Sequence, residues 1–220
     1  MERALVIGAS GGIGAALACD LRSRGAGVVG LSRRADGLDV TDAAAVDRVM
    51  GALEGEFDRI VVATGILAPE DRVPEKSLSS IDAPTMAQVM AVNAIGPALI
   101  LAQIPRLLPR DRRSVVAVLT ARVGSIGDNR MGGWYAYRAS KAAANQITHT
   151  AAIEMARKRK QSIVVALHPG TVATPFTADY PAHEKVGAEQ AARNLIAVMD
   201  NLTPAQSGGF FDYSGVVVPW

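Results

Sequence analysis

A tyrosine and a lysine four positions apart, Tyr137 and Lys141, have the clearest capacity for chemistry in this sequence. The pattern around them predicts a helix from Trp134 to Arg159, on which residues four apart share a face. A phenol has a pKa of about 10, and a neighbouring ammonium group favours the phenolate and lowers that pKa. The pair is therefore predicted to exchange a proton with a carbonyl or alcohol oxygen. Tyr135 is a rival, but its neighbour at the same spacing is Ala139; the alternative is a tyrosine and a lysine that share a helix by chance.

A glycine-rich loop follows the first predicted strand, Arg3–Ile7, and opens a predicted helix over Gly14–Arg24. Glycines let a phosphate approach the backbone, and a helix N-terminus offers unpaired N–H groups and a partial positive charge. The loop therefore predicts a dinucleotide site, although a tight turn without a ligand is the alternative. The residues predicted to bind the cofactor here are Gly8, Ser10, Gly11, Gly12, Ile13 and Gly14.

The end of the second predicted strand, Val28–Leu31, indicates which dinucleotide the protein binds. Enzymes that use NAD usually place an acidic residue there for the ribose 2′-OH, whereas this strand ends in Ser32, Arg33 and Arg34. Guanidinium groups suit a 2′-phosphate, so NADP(H) is the predicted cofactor, with Arg33 as its main contact and NAD(H) as the second choice. A solvated pair of arginines is the alternative. Asp39 and Val40 follow closely and are predicted to lie near the adenine, with Asp39 capping or hydrogen bonding there.

Short apolar runs alternate with helical patterns along the whole chain, which predicts the elements that must position these residues. Strands that are apolar throughout and separated by helices are typical of a parallel sheet buried on both faces. The predicted fold class is α/β, with residues 1–220 forming one single-domain Rossmann-type doubly wound parallel sheet of six to seven strands and helices on both faces. The further predicted strands are 59–63, 114–119, 162–167 and 209–213, and the further helices are 42–53, 84–108 (with Pro97 and Pro105 as bends) and 184–199.

The Y-x-x-x-K motif at Tyr137 and the G-x-x-x-G-x-G loop at Gly8 together resemble the short-chain dehydrogenase/reductase family. The resemblance runs over essentially the whole chain, and the stretch from Arg122 to Tyr137 is similar to the small C-factor-like subgroup. It implies that Asn93 supports a proton relay behind Lys141. Satisfying backbone groups at an irregular helical turn is the other interpretation of Asn93.

The resemblance also implies further cofactor contacts and an assembly. A segment around 171–185 is expected to be a short substrate loop, in which Phe176 and Tyr180 could line an apolar pocket. A homodimer or homotetramer is expected, with close packing of the 134–159 helix across a two-fold axis. The additional cofactor-binding residues implied are Ala63, Thr64 and Gly65 after the third strand, and Pro169, Gly170, Val172 and Thr174 near the nicotinamide.

One position departs from the family pattern. The family usually carries a serine three residues before the glycine at position 124, and this sequence has Ala121 there. The neighbouring hydroxyls belong to Thr120 and Ser125, and Ser125 lies twelve residues before Tyr137, close to the family's usual interval. Ser125 is therefore the predicted substitute, and a purely structural role is its alternative.

Composition narrows the remaining classes of function. A net charge of +2 and a hydrophobic fraction of 49% fit a globular protein and do not indicate nucleic acid as a partner. The lone Cys19, the N-terminus and the absence of an apolar stretch long enough for a bilayer favour a cytoplasmic protein without a membrane partner. The three scattered histidines predict no metal site.

Two functions remain at this stage. The first is an NADP(H)-dependent oxidoreductase acting on a small carbonyl or alcohol, with Tyr137, Lys141, Ser125 and Asn93 as its catalytic residues. The second is an NADP(H)-binding regulatory or signalling protein with weak or vestigial catalysis, which the loss of serine at position 121 would suit.

Overall fold

Six parallel strands form a single sheet in the computed structural model, which describes residues 1–178 and 185–220. The sheet order β2-β1-β3-β4-β5-β6 places the first strand beside the third, so the chain winds outward in both directions from β1. All five strand pairs are parallel. The strands are β1 (Arg3–Ile7), β2 (Gly27–Leu31), β3 (Arg59–Val62), β4 (Ser114–Leu119), β5 (Ser162–His168) and β6 (Phe210–Asp212).

Helices cover both faces of this sheet, because β1, β3, β4 and β5 are almost entirely buried and apolar on each side. One core contains Ile60, Val116 and Ile100; the other contains Val61, Leu17 and Leu195. The prediction of a doubly wound Rossmann-type sheet is confirmed. The helices are α1 (Gly12–Ser23), α2 (Arg33–Asp36), α3 (Ala43–Gly51), α4 (Ala83–Met90), α5 (Gly96–Gln103), α6 (Tyr135–Ala156) and α7 (Ala188–Asn201).

The long helix predicted over 84–108 is interrupted rather than regular. A π-helical turn, Ala91–Ile95, joins α4 to α5, and a 3₁₀ turn, Ile104–Leu107, follows. Pro97 has no N–H for the carbonyl four residues earlier, so the regular hydrogen-bond ladder cannot pass this point. The π turn contains Asn93, and turns of this kind are frequent at functional sites.

The whole helical segment from Ala83 to Leu107 corrects one expectation from the sequence, that no apolar stretch is long enough for a bilayer. Residues Ala83–Leu107 are long and apolar enough, by length and composition, to cross a membrane. Nearly half of the most apolar part is buried within the protein, where Ile100, Leu101 and Ile104 pack into the core. Core helices pass the same test of length and composition, so this helix is weak evidence for a membrane span.

Candidate active site

A cleft of about 650 Å³ opens at the carboxyl ends of the strands. This is where doubly wound sheets bind their ligands. Its walls come from the loops after β1, β3, β4 and β5 and from the first turns of α6. The lining residues that the sequence singled out are Ser10, Gly11, Gly12, Ile13, Gly14, Ala63, Thr64, Gly65, Thr120, Tyr137, Lys141, Pro169, Gly170, Val172, Thr174 and Phe176.

The loop after β1 requires its glycines for reasons of space. Gly8 has a φ of +87°, and a Cβ on Gly14 would lie 2.2 Å from the Gly8 carbonyl oxygen. A Cβ on Gly12 would lie 2.6 Å from Cγ2 of Thr174 across the cleft. At the start of α1, Gly11 provides no side-chain cap, so the helix N-terminus presents backbone N–H groups to the cleft. This cradle fits a dinucleotide phosphate.

The end of β2 turns into the single-turn helix α2. Ser32 caps that helix by accepting a hydrogen bond from the backbone N–H of Ala35 at 3.2 Å, and its own N–H donates to Asp36 at 2.7 Å. The exposed guanidinium groups of Arg33 and Arg34 have no hydrogen-bond or ion-pair partner within residues 1–178 and 185–220. Arg33 lies close enough to Asp39 to help lower the pKa of that carboxyl. The strand tip therefore carries two cations without a hydrogen-bonded partner in the described residues, while Asp36 is occupied by Ser32.

Asp39 and Val40 stabilise the short connection between α2 and α3. The Asp39 carboxylate accepts hydrogen bonds from the side chain and backbone of Thr41, which lower its pKa. Asp42, not Asp39, caps α3. Val40 is buried against Gly96. Neither these two residues nor Ser32, Arg33 and Arg34 line the 650 Å³ cleft; they lie beside it, after β2.

Asn93 connects three elements of the site and is fully buried. Its side-chain oxygen accepts from the backbone N–H of Ile66 at 2.8 Å, while its nitrogen donates to the Ile66 carbonyl at 2.8 Å. The same nitrogen donates to the Ser140 hydroxyl on α6 at 3.0 Å. Asn93 thus joins the π turn to the loop after β3 and to the helix that carries Tyr137. The backbone groups that its side chain binds belong to the loop after β3, at Ile66.

Tyr137 and Lys141 are brought together on the buried face of α6. Both are less than a tenth exposed, and the Lys141 ammonium lies 5.8 Å from the centre of the Tyr137 ring. Lys141 donates to the Leu119 carbonyl at the end of β4, at 3.1 Å. A Cβ on Gly65 would lie 3.3 Å from Nζ and from the Asn93 side-chain oxygen, so a larger residue would press on both side chains.

The electrostatics of the pair differ from the sequence prediction. Burial raises the pKa of Tyr137 well above its ordinary value, and burial lowers the pKa of Lys141 to about 8. The net effect is opposite to the predicted lowering, because desolvation disfavours the charged form of each group and outweighs the influence of the lysine on the phenol. Tyr137 is therefore a protonated phenol at neutral pH.

Ser125 does not reach the cleft. It is buried, and its hydroxyl accepts a hydrogen bond from the backbone N–H of Asp128 at 3.0 Å, which stabilises the loop after the short 3₁₀ turn Arg122–Gly124. Thr120 lines the cleft instead, and its buried hydroxyl has no partner in the described chain. The spacing from Tyr137 suggested Ser125, but the turn directs Ser125 away from the cleft. Ala121 lines the cleft.

The loop after β5 forms the opposite wall. Gly170 has a φ of +82°, and a Cβ there would lie 3.0 Å from the Tyr213 ring. Thr174 caps a 3₁₀ turn, Pro175–Thr177, that brings the Phe176 ring to 6.0 Å from the Tyr137 ring. Residues 179–184 of the expected substrate loop, including Tyr180, lie outside the described residues.

Three contributors were missed by reasoning from the sequence. Trp134 packs edge-on against Tyr137, with ring centres 6.1 Å apart. Ser140 donates to the Tyr137 carbonyl at 2.8 Å, and Glu75 accepts from the backbone of α6. Ser140 stands directly before Lys141 and could have been found, whereas Glu75 lies far away in sequence and gave no signal. Among the described residues, no group of three or more His, Cys, Asp or Glu side chains could hold a metal ion.

Sequence comparison assigns the family. Residues 36–185 match the family model described as short chain dehydrogenase. The chain is 33% identical, over 236 aligned positions covering all of both proteins, to 1-hydroxy-2-glutathionyl-2-methyl-3-butene dehydrogenase of Rhodococcus sp. (strain AD45). It is 36% identical over 147 residues to C-signal of Myxococcus xanthus, covering 66% of this chain and 84% of that protein. The chain belongs to the short-chain dehydrogenase family, and it is an oxidoreductase of that family.

Solved structures agree with this assignment. A carbonyl reductase from Pseudomonas aeruginosa PAO1 in complex with NADP matches with a TM-score of 0.82 and 27% identity over all of both chains. A short-chain dehydrogenase/reductase from Burkholderia multivorans with bound NADP matches with a TM-score of 0.84 at 24% identity, covering 100% of this chain and 99% of that one. The prediction of the family is confirmed.

Proposed function

We propose that this protein is an NADP(H)-dependent carbonyl reductase or alcohol dehydrogenase that uses Tyr137 as its general acid and base. One observation carries the proposal: Tyr137 and Lys141 are buried together in the cleft that also contains the glycine cradle of β1. A nicotinamide bound across this cleft would supply or accept the hydride, while the protein provides position and electrostatics. The NADP-bound Pseudomonas relative supports the choice of cofactor.

In the reducing direction, the Tyr137 hydroxyl donates its proton to the carbonyl oxygen as hydride reaches the carbonyl carbon, which gives the alcohol and leaves a phenolate. Burial keeps Tyr137 protonated at neutral pH but makes it a weak acid, so transfer of its proton depends on stabilisation of the phenolate that forms. Lys141 has its pKa lowered to about 8, so it is mostly charged at neutral pH and stabilises the phenolate. Alcohol oxidation runs through the same groups in reverse.

Asn93 and Thr120 complete the proposed machinery. Asn93 fixes the loop after β3 against α6, and we assign to it the support of a proton relay behind Lys141. The unpartnered hydroxyl of Thr120 is the donor that we assign to the substrate oxygen, in place of Ser125. Arg33, with Arg34 beside it, is assigned to the 2′-phosphate because its guanidinium is exposed and unpaired in the described chain.

The test is turnover by Tyr137→Phe, which keeps the ring and removes the proton. Oxidation of NADPH is followed with aldehydes, ketones and diketones. NADP⁺ reduction is followed with 1-hydroxy-2-glutathionyl-2-methyl-3-butene, the compound in the name of the Rhodococcus relative. General acid–base catalysis contributes about 10²–10⁴-fold, and we expect a loss of kcat on that scale. Tyr135→Phe is the matched control, since Tyr135 does not line the cleft. Full activity in Tyr137→Phe would remove Tyr137 from the mechanism.

A second candidate function is an NADP(H)-binding signalling or regulatory protein. Two observations favour it: Ala121 stands where the family carries serine, and C-signal of Myxococcus xanthus is a relative. This function predicts tight NADPH binding, measured by the fluorescence of the reduced nicotinamide, without turnover of any compound in the panel. Turnover that depends on Tyr137 would exclude it.

A further inference from the structure

A buried carboxylate lies at the start of α6, outside the cleft. Glu75 belongs to the segment between β3 and α4, some sixty residues before α6, and is 5% exposed. Of the aspartates and glutamates in the described residues, only Glu75 and Asp212 are buried. Burying a charged group is unfavourable unless specific partners compensate.

Glu75 binds the backbone N–H groups of Trp134, directly before α6, and of Ala136 in its first turn, while its oxygen Oε1 is buried without a partner in the described residues. Its carboxylate oxygen Oε2 accepts from Ala136 at 3.2 Å, and its backbone carbonyl accepts from Trp134 at 2.5 Å. Helix N-termini leave such N–H groups without partners inside the helix, and a nearby side chain normally caps them. Trp134 occupies the capping position and provides no side-chain cap. Glu75 therefore supplies from a distant loop the cap that the local sequence lacks, and the helix dipole favours its charge.

The residue directly before α6 has an unusual backbone conformation. Trp134 has a φ of 54°, the one positive φ among the non-glycine residues of the described chain. Such a conformation in a bulky residue is strained, and it persists only where its surroundings hold it. The Trp134 carbonyl then accepts the first helical hydrogen bond, from Arg138 at 2.8 Å, so the geometry of this residue sets where α6 begins.

The start of α6 determines where Tyr137 lies. Trp134 lines the cleft and contacts the Tyr137 ring. Tyr137 follows Ala136, whose N–H is held by Glu75. We propose that Glu75 is a positioning residue: it caps α6 from outside the cleft and thereby fixes the Trp134 and Tyr137 side chains that face the substrate. The catalytic part of this inference rests on the proposed function.

Two conservative variants separate the hydrogen bond from the charge. Glu75→Gln keeps an acceptor at the same reach, whereas Glu75→Asp keeps the charge and withdraws it by one methylene. We expect Glu75→Gln to retain kcat. Glu75→Asp should lower kcat by roughly tenfold to a hundredfold, because a displacement of about 1 Å can cost about 10²-fold. The KM for NADPH should stay near the parent value in both, because Glu75 does not line the cleft. Glu70→Asp is the matched control, an exposed glutamate in the same segment.

A spectroscopic measurement makes the test independent of turnover. The chain has two tryptophans, so Trp220→Phe leaves Trp134 as the one tryptophan emitter. In that background, Glu75→Asp should shift the Trp134 emission, and Glu75→Gln and Glu70→Asp should not. If the parent protein lacks turnover but shows this pattern, the proposed function fails and the capping role stands. The proposal would be overturned if Glu75→Asp left both the emission and kcat unchanged. It would also be overturned if Glu75→Gln were as impaired as Glu75→Asp.

Discussion

At the scale of single residues, the two ends of the site are held in place to different degrees. Tyr137 and Lys141 are held by burial, a backbone carbonyl and aromatic contacts. Arg33 and Arg34 are exposed, and the interactions described within residues 1–178 and 185–220 do not fix them. Choice of cofactor should therefore change more readily than the chemistry, because an exposed charge can be replaced without disturbing the core.

The first prediction concerns that choice. Arg33→Ala should raise the KM for NADPH by about tenfold to a hundredfold, since a hydrogen bond to a charged group contributes about 1.5–3 kcal/mol. The KM for NADH should change little, because NADH carries no 2′-phosphate. Steady-state kinetics with both cofactors measures the effect, and Arg34→Ala is the matched control. A larger effect from Arg34→Ala would transfer the role to its neighbour.

A second prediction concerns the donor to the substrate oxygen. Thr120→Val preserves shape and removes the hydroxyl, and we expect kcat to fall by about 10²–10³-fold, the usual cost of one oxyanion donor. Ser125→Ala should mainly lower the free energy of unfolding, by about 1 kcal/mol, because the Asp128 N–H loses its acceptor. Kinetics and urea unfolding on both variants provide the comparison. If kcat falls more in Ser125→Ala than in Thr120→Val, the donor to the substrate oxygen is Ser125.

At the scale of elements, the site depends on close approach between loops that are distant in sequence. The loop after β1 and the loop after β5 face each other at Gly12 and Thr174, where a Cβ would collide with Cγ2 of the threonine. The π turn, the loop after β3 and α6 are likewise joined by Asn93. These contacts set the width of the cleft.

A double substitution tests whether Gly12 serves packing or the ligand. Gly12→Ala should destabilise the fold and weaken NADPH binding by roughly tenfold or more, equivalent to about 1.4 kcal/mol. Thr174→Ser removes the colliding methyl group. In the Gly12→Ala background it should restore the melting temperature, while NADPH affinity, measured by fluorescence titration, stays low. Recovery of both would mean that the glycine is needed only for packing against Thr174.

At the scale of the whole molecule, a buried histidine links stability to pH. His168 ends β5 and lines the cleft, and burial lowers its pKa to about 4. Between the ordinary histidine pKa near ~6.5 and this value, the unfolded chain binds a proton that the folded chain does not. Stability is therefore present above about pH 6.5 and is lost as the pH falls toward 4.

Urea unfolding across this pH range gives the fourth measurement. A displacement of roughly two and a half pKa units corresponds to about 3.4 kcal/mol when fully expressed. We expect His168→Asn to flatten this dependence, because asparagine does not titrate. The same slope in the variant and the parent would assign the acid sensitivity to other groups.

The expected homodimer or homotetramer also belongs to this scale, and it stays a prediction that a measurement of molecular mass would test.

The sequence by itself determined the family, the doubly wound parallel sheet and most of the cleft. Glycines after β1 and a Y-x-x-x-K motif are local patterns whose meaning depends on a few neighbouring positions. Six apolar strands separated by helices specify the layers, because each face must be buried. Element ends were predicted less well: α6 begins at Tyr135 and ends at Ala156, three residues before the predicted end.

Only the tertiary structure decided which polar groups meet. Spacing placed Ser125 near Tyr137, but the turn before it directs its hydroxyl to the Asp128 backbone. Spacing also suggested that Lys141 lowers the tyrosine pKa, whereas burial of the phenol raises that pKa above its ordinary value. Glu75 gave no signal at all, since its partners at the start of α6 lie some sixty residues away. Hydrogen bonding and desolvation depend on what surrounds a group in space, and local sequence patterns do not contain that information.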